Sequence, residues 1–91
     1  MNTLMLVGKI KEIKKENIVV EIKRNYKNSN GVYEEDNIPV KLWAGVHDTI
    51  IEQCKIGYLV GIRGRLEIHK NNVVVIAEKI SFIPKKEEED K

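Results

Sequence analysis

The sequence predicts an all-β fold, a small five-stranded barrel with one short α-helix between the third and fourth strands. Three observations carry that prediction. β-branched residues are frequent, and apolar side chains recur at every second position over most of the chain. The period changes to that of a helix only once, in GVHDTIIEQCKIG. A chain of 91 residues suffices for one domain with a single modest core, and not for two.

The elements follow in order. In TLMLVGKIKEI, Leu4, Leu6 and Ile10 alternate, and Gly8 interrupts where a barrel strand bends. The turn IKKEN leads to a second strand with Ile18, Val20 and Ile22 on one face. The polar stretch RNYKNSNGVYEED follows, with Asn30-Gly31 as the clearest hairpin signal. A third strand returns from about Tyr33 to Ala44. Val46, Ile50 and Cys54 then fall at helical spacing, with Asp48 or the preceding turn as the cap and Gly57 as the stop. The fourth strand, YLVGIRGRLEIHK, buries Val60, Ile62, Leu66 and Ile68 and exposes Arg63, Arg65, Glu67 and His69; Gly61 and Gly64 read as further bends. Asn71-Asn72 make a tight turn into the fifth strand, VVVIAEKISFI. Its run from Val73 to Ile76 is apolar on both faces, as in a strand covered on two sides. Three strands, a helix and two strands is the order of the OB-fold, a Greek-key barrel whose helix plugs one end. Residues 1–84 form that domain and 85–91 a charged, solvated tail.

Sixteen Lys and Arg against fourteen Asp and Glu give +2. The tail itself carries −1 (three lysines, four acids), which leaves about +3 on the barrel and permits a polyanionic partner. Cys54 is alone, so no internal disulfide forms. The N-terminus lacks the features of a signal peptide, and no apolar stretch is long enough to span a bilayer, so a cytoplasmic protein without a membrane is expected. His47, Cys54 and His69 lack zinc-site spacing. No Gly-rich phosphate loop, carboxylate pair or nucleophile elbow is present. Neither enzyme activity nor a metal or cofactor is expected.

MNTLMLVGKI resembles the opening strand of the bacterial single-stranded DNA-binding protein family. VEIKRNYKNSNGVYEEDNIPVKLWAG resembles its second and third strands, with an aromatic and then a glycine closing the third, and KIGYLVGIRGRLEIH its fourth. The resemblance runs from Met1 to about Ile83. It implies sequence-nonspecific binding of single-stranded DNA that protects exposed strand in replication or recombination, with Trp43 as a base-stacking aromatic and Tyr26 near another such position. Members assemble through their first strand, which implies a homo-oligomer, dimer or tetramer. The chain also departs from the family. KEIKKEN is short, and so is the hairpin between the fourth and fifth strands. Asn37 and Asn71 stand near positions where members carry tryptophan. The tail ends in Glu-Asp-Lys without an aromatic, so recruitment of partners through an acidic tail is not expected.

The side chains themselves support such a role. Holding an unpaired strand takes cations for the phosphates and flat π surfaces for the bases. In IPVKLWAG, alternation puts Ile38, Val40 and Leu42 on one face and Lys41 and Trp43 on the other. Trp43 is then a stacking platform, a subunit-interface residue or a core residue; Lys41 beside it favours the first. Arg63, Arg65 and His69 form an outward stripe that suits phosphates, or a solvated face with Glu67 as partner. Arg24, Tyr26 and Lys27 form a second basic cluster with one aromatic, though Tyr26 and Tyr33 also suit a cross-strand pair. Met5 and Val7 are apolar on the outer face of the first strand, where a barrel docking on its own copy would use them. Two other readings stay open: an OB-fold protein–protein adaptor of a replication-restart complex, and an RNA-binding OB protein.

Overall fold

The computed structural model describes residues 1–83, apart from the side chains at 44, 46, 47 and 51. Val46 of the helical stripe, His47 and the tail therefore lie outside the described residues. Strands β1 (Leu4–Ile13), β2 (Asn17–Lys27) and β3 (Tyr33–Lys41) precede helix α1 (Ala44–Gln53), and β4 (Leu59–His69) and β5 (Asn72–Ile83) follow it. The strands close into a barrel in the order β1-β2-β3-β5-β4. Every neighbouring pair is antiparallel except β3 and β5, which run parallel and meet at Val40–Val75 and Lys41–Ile76. This is the predicted five-stranded barrel with its single helix.

Alternation builds the interior. Ile10, Ile18, Val20, Val40, Val60 and Ile62 point inward from four strands and are sealed from solvent. Ile50 and Cys54 come from α1 and the residue after it to close one end of the same cluster. Each such aliphatic side chain contributes about 1.5–3 kcal/mol on burial. Curvature depends on two glycines. A Cβ at Gly8 would collide with the Glu21 carbonyl oxygen, and one at Gly64 with the Ile76 carbonyl oxygen. Gly64 also sits where the β4–β5 register shifts, the position of a bulge that bends the strand. By contrast, a Cβ at Gly61 meets nothing.

β1 serves two neighbours, pairing with β4 over Leu4–Lys9 and with β2 from Lys9 onward. Over Leu4–Val7 its other edge has no ladder partner among the described residues.

Several boundaries differ from expectation. β3 ends at Lys41 rather than Ala44, and Trp43 is the N-cap of α1, still extended (φ −94°, ψ 161°) and making no side-chain capping bond. Asp48 lies inside the helix and does not cap it. α1 stops at Gln53, before Gly57, because the chain must turn back to β1: Gly57 N–H donates to Ile10 O (2.8 Å) and Ile10 N–H to Tyr58 O (2.9 Å). Gly57, at φ +99°, supplies that turn. The β4–β5 turn centres on Lys70 and Asn71, both at positive φ, with His69 paired to Asn72.

The largest correction concerns the β4–β5 hairpin. Leu66 and Ile68 were expected in the core, yet both are exposed, Ile68 at 65%. The β1 ladder along β4 reaches only Gly64, so the hairpin beyond it overshoots the barrel and Ile68 pairs with Val73 in the open. Val73 is likewise exposed rather than covered on two sides. Asn2 braces the root of this hairpin: its amide donates to Leu66 O, and its Oδ1 accepts from Leu66 N–H (3.0 Å).

Candidate nucleic-acid interface

The parallel seam between β3 and β5 floors an open cleft. One wall is Pro39 and Lys41 of β3 with Glu16 of the β1–β2 turn and Asn17 at the start of β2; the other is His69, Val73 and Val74 of the β4–β5 hairpin. The overshoot of that hairpin raises the second wall. Two residues expected from the sequence, Lys41 and His69, are thereby brought to one place. Lys41 is exposed and makes no ion pair among the described residues. Asn17 stands opposite it on the neighbouring strand.

Trp43 lies two residues beyond Lys41 and is 46% exposed. It is neither sealed in the core nor among the residues lining the cleft. Leu42 between them is buried, so the alternation read from the sequence continues past the end of the ladder. Leu42 N–H donates to Glu16 O (3.0 Å), which ties the Trp43 end of the chain to the cleft wall.

The remaining cations divide into committed and open groups. Arg24 holds Asp36 through Nε (3.0 Å) and Nη2 (2.9 Å) and Glu34 through Nη1 (2.8 Å). The Arg24 hydrogen bond keeps the Asp36 carboxyl below its ordinary range. Asn28 Nδ2 donates to Glu34 (2.9 Å), and its Oδ1 accepts from Asn30 and Val32 N–H, so the whole β2–β3 hairpin is braced. Arg24 is therefore a structural cation. Tyr26 is exposed beside it. Tyr33 pairs with Lys27 and not with Tyr26; the Lys27 ammonium sits 5.7 Å from the Tyr33 ring centre, within cation–π range.

Arg65 is similarly occupied by Glu67 (Nε to Oε2, 2.7 Å) and Glu78 (Nη1 to Oε2, 2.8 Å). His69 Nε2 lies 2.8 Å from the other Glu67 oxygen. Hydrogen bonds from His69 and then Arg65 hold the Glu67 carboxyl low. The solvated-face reading of this stripe is thus realised for Arg65. Arg63 makes no ion pair among the described residues. It lines a separate depression with Met5, Gly61, Lys79 and Ser81 on the outer face of β1, β4 and β5. Met5 and Val7 on that face are 70% and 60% exposed.

Glu16, Asn17 and Pro39 went unnoticed in the sequence. The signal for Asn17 was its register opposite Lys41, which only the barrel reveals. Cys54 packs in the core, where burial pushes its thiol up to about 11. Among the described residues no group of three or more His, Cys, Asp or Glu side chains could hold a metal ion. No described helix is long and apolar enough to cross a membrane.

Comparison with known proteins gives a consistent picture. No family model matches the chain. Single-stranded DNA-binding protein 1 of Clostridium acetobutylicum is 31% identical to it, over 97% of this chain and 98% of that one. Among solved structures, a Plasmodium falciparum SSB in complex with ssDNA superposes with a TM-score of 0.72 at 14% identity, covering 91% of this chain and 95% of the other. A deletion mutant of the single-stranded DNA binding protein from Thermus aquaticus gives 0.68 at 17% identity, and this chain spans half of its length.

Proposed function

Because the chain belongs to the single-stranded DNA-binding protein family, we propose that it binds single-stranded DNA along the β3–β5 cleft and protects it during replication or recombination. The observation that carries this reading is the unpaired Lys41 facing His69, itself bonded to Glu67, across a cleft with apolar surface at Pro39, Val73 and Val74, and a half-exposed indole just past its end. Phosphates meet Lys41, and Trp43 supplies a π surface worth about 1–3 kcal/mol per stacked base and tolerant of any base. Lys27 and Tyr26 on the β2–β3 hairpin extend the path. Arg24 and Arg65 support it indirectly, by shaping the strands they brace. The protein acts in the cytoplasm and carries out no covalent chemistry.

Self-association completes the proposal. Met5, Val7, Leu59 and Ile83 are exposed apolar residues, and the β1–β4–β5 ladder sets them on one outer face. The free β1 edge over Leu4–Val7 adds unpaired backbone groups beside them. Both features suit a second copy of the chain.

Trp43 is the sole tryptophan, so its fluorescence reports the site directly. Titration with oligo-dT at low and high salt, alongside duplex DNA and an RNA of equal length, tests the proposal. Quenching by the DNA single strand that weakens with salt is expected. No response to any of the three would move the assignment to a protein–protein adaptor, and equal quenching by RNA would broaden the ligand class.

A further inference from the structure

We infer that the cleft reads bases as well as holding them, and that Glu16 selects those offering an amino group. This rests on the proposal that single-stranded DNA occupies the cleft. A carboxylate there works against the attraction of a polyanion, and Glu16 is not neutralised. Glu12, Glu21, Glu34, Asp36, Glu67 and Glu78 are each held by a Lys or Arg side chain. Glu16, like Glu35, Asp48 and Glu52, makes no ion pair among the described residues, and of these four it is the one that lines the same cleft as Lys41. Its backbone is anchored by the bond from Leu42 N–H, in a turn closed by Lys14 N–H to Asn17 O (2.8 Å). Next to it, Asn17 Oδ1 is buried without a donor. The wall therefore carries an exposed carboxylate without an ion-pair partner, beside a buried amide oxygen without a donor.

An ionised carboxylate is acceptor-only. Cytosine and adenine present an exocyclic amine, and guanine an amine beside a ring N–H. Thymine and uracil present a single N–H flanked by two carbonyl oxygens, which a carboxylate repels. Pro39, Val73 and Val74 give the ring apolar surface, while Lys41 remains for the backbone. Glu16 thus adds one amine-preferring subsite to an otherwise base-tolerant surface.

The test compares oligo-dC with oligo-dU near pH 7.5, two weakly stacking pyrimidines that differ at the edge Glu16 would meet. The full chain should bind dC about tenfold more tightly, the worth of one hydrogen bond to a charged acceptor. Glu16→Gln should bring the two affinities within about twofold of each other, mainly by strengthening dU, since the amide keeps the shape and removes the charge. Glu16→Ala should do the same. Equal binding of dC and dU by the parent chain, or an unchanged ratio in both variants, overturns the selective role while leaving DNA binding intact. No binding of either oligonucleotide would instead defeat the underlying proposal.

Discussion

Gly64→Ala gives a sharp test of how the barrel is built. A methyl group at this position would overlap the Ile76 carbonyl oxygen and crowd the Ile76 carbonyl carbon and the Ala77 Cα, all of them backbone. No flexible side chain can move aside, so β5 must shift where it crosses β4 at the bulge. Overpacking of this kind costs about 1–3 kcal/mol, and one weakened ladder hydrogen bond adds about 1 kcal/mol. For a domain of this size each kcal/mol lowers the melting temperature by about 4–8 °C, so a fall of about 8–32 °C is expected. Gly45→Ala is the control. Gly45 lies in the first turn of α1, where a Cβ meets nothing, and exchanging a helical glycine for alanine stabilises by about 0.5–1 kcal/mol. Thermal unfolding followed by circular dichroism reads both variants. A Gly64→Ala melting temperature within about 3 °C of the parent, less than 1 kcal/mol by the same scaling, would mean that β4 and β5 do not approach as described.

Trp43→Ala should weaken oligo-dT binding by about 5- to 150-fold, the value of one aromatic stack, and Trp43→Phe should retain part of it; a change below twofold in direct binding would remove the indole from the site. Lys41→Ala should reduce the slope of log affinity against log salt by about 0.7, whereas Arg24→Ala should leave the slope unchanged because its guanidinium is committed to Asp36 and Glu34. The Asp36 carboxyl has a folded value below its unfolded value of about 3.9, so its contribution to stability is present above that pH and lost as pH falls through the folded value. Asp36→Asn should accordingly be less stable than the parent at pH 7, with the gap narrowing as the pH falls below about 4, the unfolded value being about 3.9, as read by denaturant titration. Met5→Glu should convert an assembly into a 10.5 kDa monomer in light scattering, and a parent chain that is already monomeric would refute the docking face.

Alternation was enough to place most of the core and to turn Trp43 outward, because a strand's two faces follow from parity alone. The same parity misplaced Leu66 and Ile68. Whether an inward-facing position has anything to face depends on how far the neighbouring strand extends, and β1 runs out at Gly64. The fate of the arginines was legible only in part. Glu67 is two residues from Arg65 and visible in the sequence, whereas Asp36 and Glu78 lie 12 and 13 positions from the arginines they hold and enter through cross-strand register. Glu16 and Asn17 were invisible for the same reason, since a turn acquires meaning as a wall only once β3 and β5 meet beside it.

That meeting is brief. Among the described residues only two ladder pairs, Val40 with Val75 and Lys41 with Ile76, join β3 to β5, across 35 positions of chain, while the β4–β5 hairpin zips along nearly its full length. Such a joint closes late as the barrel assembles and opens early when it breathes, so its amides should exchange with deuterium sooner than those of β4. A ligand lying across it grips both sides at once. Occupancy would then act as a clasp, slowing exchange at Val75 and Ile76 before it is felt anywhere else in the barrel.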